Sequence, residues 1–145
     1  MPIVALGGGI AENGPVTSTW SLNNFASSGG GSAYQFVFTR YDGTTQTDYT
    51  AAGFTAHLNT WYHVAVSRVS GTLRIFINGT PYYAAANAMN FTAINTTDPL
   101  ILGFARYAAP SNFYLSGYLQ EIRITNGVGR YVNTFTPPST PDGDI

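Results

Sequence analysis

The sequence of 145 residues contains no cysteine, no lysine and few charges of either sign. Without cysteine, neither a disulfide framework nor a thiolate metal site can form. All six cations are arginine, and the formal net charge of −1 provides no basic patch for nucleic acid or an anionic membrane. No apolar run reaches the roughly 18 residues of a membrane span. The start of the chain also lacks the basic region of a signal peptide.

Glycine, proline and aromatic residues are abundant instead. The 16 Gly and 8 Pro are spread through the sequence and divide it into short segments, and helical periodicity of useful length is missing. Short alternating segments separated by polar turns are typical of an antiparallel β-sandwich. We therefore expect one all-β domain over residues 1–138, followed by a proline-rich tail over residues 139–145.

The clearest segment is a predicted β-hairpin. Residues 61–68 alternate with period two, a turn is expected at Ser70-Gly71, and residues 73–77 alternate again. Asn78-Gly79 closes the run, because both residues tolerate positive φ. Further strands are predicted over residues 19–25, 33–41, 99–105 and 113–125, the last with a bulge near Gly117.

The order of these motifs resembles one known family. "NTWYHVAVSRVSGTLRIFINGT", "LILGFA" and "YLSGYLQEIRITNGVGRYVNTFTPP" together resemble the laminin-G-like (concanavalin A-like lectin/glucanase) jelly-roll family over about residues 58–138. The closest variety is the one found in bacteriophage tail fibres and other virion proteins. The resemblance implies a jelly-roll sandwich whose final segment crosses back over a sheet. Tyr131 and Phe135 would then seal the end of the core.

One feature departs from the family pattern. In the family, further strands precede the equivalent of "IVALGGG", whereas this sequence begins just before it, so the first strands are expected to be missing. A sandwich that lacks strands exposes sheet edges and core surface. Either the first seven residues rebuild the edge or a neighbouring subunit supplies what is missing. We expect the second, which predicts a homo-oligomer or a part of a larger assembly.

The sequence contains few residues that could act in catalysis. A glycoside hydrolase on this fold needs two carboxylates about 5–9.5 Å apart, but the only glutamates, Glu12 and Glu121, stand in unrelated contexts. The two histidines, His57 and His63, are too few for a metal site without nearby carboxylates. His63 is interpreted as a structural residue of the sandwich. No catalytic residue is assigned, and the protein is expected not to be an enzyme.

Calcium is the one cofactor that the resemblance raises, since laminin-G-like domains often hold one at the rim with Asp side chains and backbone carbonyls. The candidate ligands are Asp42, Asp48 and Asp98. Structural turn residues are the alternative, and for "YDGTTQTDY" we favour it. No other cofactor is expected.

Tyrosine supplies the candidate contact surface. Ten of the 21 aromatic residues are Tyr, whose ring and hydroxyl suit both sugars and protein interfaces. Six of them lie near predicted loops, where binding surfaces concentrate. An interface is favoured over a sugar site. The six candidates are Tyr41, Tyr49, Tyr82, Tyr83, Tyr107 and Tyr114.

Together these observations predict a non-enzymatic structural or adhesion protein of a virion, for example a bacteriophage tail fibre, spike or capsid decoration module. Its expected partners are other virion proteins or identical subunits, and host-surface glycan; neither nucleic acid nor membrane insertion is expected. Its expected location is the virion, outside the cell. The alternative is a secreted bacterial carbohydrate-binding module.

Overall fold

The computed structural model of the chain describes residues 2–6, 20–26, 34–41, 45–86, 100–106 and 112–139. Within these ranges all strand pairs are antiparallel and there is no helix, so no helix there could cross a membrane. The strands are β1 (Pro2–Leu6), β2 (Trp20–Ala26), β3 (Tyr34–Tyr41), β4 (Gln46–Thr50), β5 (Val64–Val69), β6 (Thr72–Ile77), β7 (Thr80–Ala86), β8 (Leu100–Leu102), β9 (Phe104–Arg106) and β10 (Asn112–Tyr114).

The larger sheet has five strands in the order β4-β3-β2-β1-β8. Its longest pairing joins β2 and β3, from Trp20 opposite Arg40 to Ala26 opposite Tyr34. Strand β1 lies between β2 and β8, so this segment is an interior strand of the sheet and does not rebuild an edge. The expectation that a neighbouring subunit supplies further strands stays a prediction.

The smaller of the two main sheets has three strands in the order β5-β6-β7, and β9 pairs with β10 in a separate two-stranded ribbon. Both of its turns use the predicted dipeptides in left-handed conformations, with φ of 47° and 78° at Ser70-Gly71 and 50° and 80° at Asn78-Gly79. Paired positive φ values are what a two-residue hairpin turn needs to match the twist of its strands. The predicted hairpin is therefore confirmed, although β5 begins at Val64 and Trp61 is exposed.

The two sheets pack face to face as a sandwich. Phe36, Phe38 and Tyr49 of the larger sheet belong to the same buried cluster as residues of β6. In β6 the inward positions are Leu73, Ile75 and Ile77, as their alternation predicted. This confirms the expected fold class, an antiparallel β-sandwich of jelly-roll type.

A β-bulge in β7 turns two consecutive tyrosines toward the core. Ile75 pairs with Tyr83 but Phe76 pairs with Pro81, so Tyr82 is an extra residue in the ladder. A bulge places two residues opposite one and disturbs the strict in-out alternation of a strand. As a result, Tyr82 and Tyr83 both pack against the core cluster.

The last two predicted strands are shorter than expected. Gly103, with φ of 68°, divides the predicted strand 99–105 into β8 and β9. The predicted strand 113–125 is wrong beyond Tyr114, because no strand is assigned between residues 115 and 139. Glu121 has φ of 53°, which lies outside extended backbone and interrupts the alternation there.

The final described residues, 127–139, cross the smaller sheet, and we name them the C-terminal strap. The rings of Tyr131 and Phe135 stack with centroids 3.7 Å apart and an interplanar angle of 7°. Both rings meet Phe76, at 6.2 and 5.4 Å. Phe76 is fully buried and alternates with Ile75 and Ile77, so it faces away from the central core. The predicted crossing is therefore confirmed, but the two rings cover the outer face of the sheet and do not seal the end of the core.

Two glycines let the strap lie against the sheet backbone. A Cβ on Gly79 would collide with the carbonyl group of Phe135, whose N–H donates a 3.1 Å hydrogen bond to the Gly79 carbonyl. A Cβ on Gly129 would collide with Val69 and lie 2.7 Å from the Arg68 carbonyl oxygen. Only glycine fits at either contact.

Candidate functional site

Of the six candidate tyrosines, Tyr49 belongs to the buried core, and Tyr82 and Tyr83 are partly buried against it. Tyr49 is only 8% exposed, and its ring meets that of Tyr83 edge-on at 5.6 Å. Tyr82 packs edge-on against Phe54 at 5.1 Å. The expected loop positions of these three are therefore wrong, because strand alternation turns Tyr49 inward and the bulge turns the other two inward. Burial raises the pKa of the Tyr83 hydroxyl, and the neighbouring Tyr49 raises it further.

The other three candidates are distributed differently. Tyr114, at the end of β10, is 66% exposed, and its ring packs against Phe104 with centroids 5.2 Å apart. The backbone of Tyr41 ends β3. The side chain of Tyr41 and the whole of Tyr107 lie outside the described residues, so their candidate roles stay predictions.

Two short stretches of the chain, residues 100–102 and 114–124, carry a set of exposed apolar side chains, which we name the apolar surface. Gly103 joins its two parts: the Gly103 N–H donates to the Ile3 carbonyl at 2.8 Å, and the Gly103 carbonyl accepts from the Leu115 N–H at 2.8 Å. The first bond holds Gly103 beside β1, and the second holds it beside the segment that follows β10. The surface consists of Leu100, Leu102, Tyr114, Tyr118, Leu119, Ile122 and Ile124, each at least 37% exposed.

Sequence reasoning missed this surface because it placed residues 113–125 in a paired strand. Pairing in a sandwich would have buried one side of the alternation. In the described structure Tyr118 is instead 86% exposed and Ile124 is 51% exposed. The signal was present in the alternation itself, but alternation does not show whether a strand finds a partner within its own chain.

The second candidate feature is a line of polar side chains across the larger sheet, which we name the polar row. Ser21 of β2 pairs with Thr39 of β3, and Thr39 pairs with Asp48 of β4. Residues directly opposite one another share a face, and this face is the one opposite to Phe38 and Tyr49. The polar row consists of Ser21, Asn23, Thr39, Gln46 and Asp48.

A chain of hydrogen bonds runs along the polar row and ends at the Asp48 carboxylate. The Asn23 Nδ2 donates to Ser21 Oγ at 2.8 Å and to Thr39 Oγ1 at 3.2 Å. Thr39 Oγ1 donates to Asp48 Oδ1 at 2.8 Å, and Gln46 Nε2 donates to both Asp48 oxygens at 3.2 and 3.3 Å. Since Asp48 is exposed while Asn23 is 1% exposed, the row presents an oriented carboxylate on a buried polar base.

Such a carboxylate can accept hydrogen bonds from the hydroxyl groups of a ligand. The buried Oδ1 of Asn23 has no hydrogen-bond partner among the described residues, so the row retains one unused acceptor. Sequence reasoning identified only Asp48 of this set. The available signal was the alternate polar positions Ser21 and Asn23, which are interleaved with the apolar Trp20 and Leu22.

The calcium expectation is only partly covered by the described residues. The Asp48 carboxylate already accepts hydrogen bonds from Thr39 and Gln46. Asp42 and Asp98 lie outside the described residues, and the ranges that are described contain no group of three His, Asp or Glu close enough to hold a metal ion. Calcium at these aspartates stays a prediction.

The two histidines serve backbone and packing contacts. The His57 N–H donates to the Tyr62 hydroxyl oxygen at 2.9 Å. The His63 ring packs edge-on against Phe135 at 5.5 Å, and the His63 N–H donates to Asn78 Oδ1 at 2.9 Å. The structural interpretation of His63 is thereby confirmed.

Comparison with known proteins identifies the family. The family model Laminin_G_3, described as the concanavalin A-like lectin/glucanases superfamily, matches residues 8–128 of the chain. No curated protein and no solved structure matches the chain. The resemblance to this superfamily is confirmed, whereas its link to bacteriophage tail fibres stays a prediction.

Proposed function

The chain belongs to the concanavalin A-like lectin/glucanases superfamily, and from this membership we propose that it is a non-enzymatic adhesion and structural protein of a virion. Domains of this superfamily are often adhesive or carbohydrate-binding. Within that range, we propose a tail fibre, spike or capsid decoration module that acts mainly through protein–protein contacts. Host glycan is a second ligand in this proposal.

The apolar surface is the observation that carries the proposal. Single exposed apolar side chains are ordinary on a protein surface, but seven of them within residues 100–102 and 114–124 indicate a place of contact with another molecule. Here the set includes two exposed tyrosines, Tyr114 and Tyr118, a residue type enriched at protein interfaces. The low charge of the chain supports contact with protein rather than with nucleic acid.

The virion setting is supported by composition and by the carboxyl-terminal motif. A surface rich in Thr, Ser and Asn without any lysine or cysteine suits a β-rich protein outside the cell. The sequence "GVGRYVNTFTPP" resembles the tail of phage-type members of the family. In this chain its two aromatic residues stack over Phe76, so the motif has a packing role in the fold.

The experiment that tests the setting is mass spectrometry of purified virus particles from cultures that carry the gene. Peptides of this chain are expected in fixed stoichiometry with the major structural proteins. Particles that lack the chain, alongside secretion of the chain by uninfected cells, would contradict a virion role and favour the alternative.

A second experiment tests the surface. Particles made without the chain are incubated with the purified chain, and rebinding is measured by sedimentation. We expect a Tyr114→Ser/Tyr118→Ser variant to rebind at least tenfold more weakly, because interface tyrosines dominate binding energy. The matched control is Trp61→Ser, an exposed aromatic residue outside the apolar surface. Equal loss in both variants would contradict a specific contact.

The alternative function is a secreted bacterial carbohydrate-binding module, and the polar row is the observation that favours it. Asp48 is held by Thr39 and Gln46 in an orientation suited to sugar hydroxyls. A glycan array tests this alternative, with Asp48→Asn as the variant expected to lose any sugar signal. Asp48 and Glu121 are the only carboxylate side chains in the described residues, and the small number of carboxylates supports the proposal that the protein is not a hydrolase.

A further inference from the structure

Residues 118–124 have a strand-like sequence but no partner strand among the described residues. Tyr118, Ile122 and Ile124 would lie on one side of an extended chain together with Gln120, and the three are 86%, 42% and 51% exposed. The other side would carry Leu119, Glu121 and Arg123, all exposed. This is the pattern of a strand with one mainly apolar and one mainly polar side. In the described structure, however, this segment is not part of any sheet.

The charges in this segment are self-complementary. In an antiparallel pair of identical segments with the two-fold axis at Ile122, residue 121 of each copy lies opposite residue 123 of the other. Glu121 then faces the partner's Arg123, and Arg123 faces the partner's Glu121. Directly opposed charges of unlike sign stabilise an antiparallel pair, and like charges destabilise it. A two-fold interface requires this kind of self-complementary patch.

The backbone at Glu121 gives an independent reason to expect a second state. Its φ of 53° is left-handed, and such a conformation is strained for a residue with a Cβ. Extended pairing would return Glu121 to the β region and remove that strain. The segment therefore gains both backbone hydrogen bonds and relaxed geometry when a partner strand is present.

We propose that a second copy of this chain covers residues 118–124 by antiparallel pairing about Ile122. This inference rests on the protein-contact part of the proposed function and names the partner for one part of the apolar surface. Glu121 and Arg123 each lie one position from Ile122, so a second copy paired about Ile122 places each of them opposite a residue of unlike charge. This match favours a second copy over an unrelated protein. Leu100 and Leu102 remain available for other virion proteins.

The experiment is a charge-swap series on the full chain, measured by light scattering after size exclusion. The wild type is expected at twice the 15.5 kDa mass of one chain. Glu121→Arg places two arginines opposite each other and Arg123→Glu places two glutamates opposite each other. Each single variant is expected to dimerise at least tenfold more weakly.

Two further samples make the test specific. An equal mixture of the single variants is expected to dimerise, because the two arginines of the Glu121→Arg chain then face the two glutamates of the Arg123→Glu chain on both sides of the axis. The double variant Glu121→Arg/Arg123→Glu is also expected to restore the dimer. Arg130→Glu, an exposed charge reversal in the strap, is the control and is expected to leave the dimer unchanged.

Each outcome decides the proposal. A monomeric wild type, dimers that persist in both single variants, or a mixture that stays monomeric would each overturn it. The proposed function stands separately, since a monomeric chain that still rebinds virus particles would retain it. A dimer that forms as proposed while virus particles lack the chain would leave self-association intact and remove the virion role.

Discussion

Alanine at Gly79 should destabilise the fold far more than alanine at Gly53, although the two glycines have the same backbone conformation. Both have φ of 80°. A Cβ at Gly53 meets no atom within 4 Å, whereas a Cβ at Gly79 would strike the Phe135 carbonyl group and lie 3.2 Å from Pro137 Cδ. The comparison therefore separates the cost of left-handed alanine from the cost of displacing the strap.

The expected magnitudes follow from the contacts. Left-handed alanine costs about 1–2 kcal/mol at either position. Displacing the strap uncovers Tyr131 and Phe135, which are half-buried, so each contributes about half of the roughly 3 kcal/mol of a fully buried large side chain. The lost hydrogen bond from the Phe135 N–H adds about 1 kcal/mol. The free energy of unfolding should therefore fall by about 4 kcal/mol more in Gly79→Ala than in Gly53→Ala.

The assay is urea unfolding followed by far-UV circular dichroism, with near-UV circular dichroism to report the stacked rings. A double-mutant cycle with Phe135→Ala adds a second check, because that change should cost little once Gly79→Ala has released the strap. A difference below about 1 kcal/mol between the two alanine variants would refute the reasoning. It would mean that the strap shifts to accept a methyl group without leaving the sheet.

Three further changes test local contacts. Asn78→Gly should lower the free energy of unfolding by about 1 kcal/mol, because it removes only the hydrogen bond from the His63 backbone N–H. Asn78→Ala also places alanine in a left-handed conformation, so it should lower the free energy of unfolding by about 2–3 kcal/mol. Urea unfolding measures both losses. Thr39→Val should cost about 1–2 kcal/mol in the same assay, because it removes the hydroxyl that joins Asn23 to Asp48. The raised pKa of Tyr83 means that the folded chain keeps this proton to higher pH than the unfolded chain. The contribution of Tyr83 to the free energy of unfolding is therefore complete below the unfolded pKa of about 10 and is lost as pH rises through the folded pKa. For this reason Tyr83→Phe should reduce the fall in melting temperature at alkaline pH.

Each of these changes has a control and a contradicting result. Thr134→Val, at an exposed position of the strap, should leave stability within about 0.5 kcal/mol of the wild type. Equal losses at positions 39 and 134 would show that the polar row contributes nothing. Tyr118→Phe controls for loss of a hydroxyl at an exposed site, and an unchanged alkaline transition in Tyr83→Phe would contradict the role of its burial. Equal stability of the glycine and alanine variants at position 78 would contradict the strain argument.

The smaller sheet could be predicted from the sequence because its signals are local. Alternation over residues 64–77 sets the strands, and two dipeptides that accept positive φ set both turns. The segment after Tyr114 has the same alternation, yet no sheet contains residues 115–125 in the described structure. Alternation records which side chains prefer burial, whereas pairing depends on a neighbour that can be distant in sequence or on another chain.

The candidate site was less predictable for the same reason. The sequence predicted that Tyr82 and Tyr83 lie near a loop. The β-bulge in β7, where the register shifts between Ile75 and Phe76, turns both of them inward. The polar row depends on the register of three strands, which brings Ser21, Thr39 and Asp48 into line. Composition could indicate that tyrosines would make contacts, but it could not separate core tyrosines from surface ones.

The C-terminal strap also constrains the order in which the protein can mature. A ribosome synthesises Phe76 well before Tyr131 and Phe135, so Phe76 lacks the cover of those two rings until they emerge. Both sheets can be assembled by then, and the nascent chain would still display an aromatic site to chaperones. A translation stall or proteolytic nick between residues 115 and 130 would leave that site open in an otherwise folded sandwich. Quality control could therefore recognise incomplete molecules through this one face.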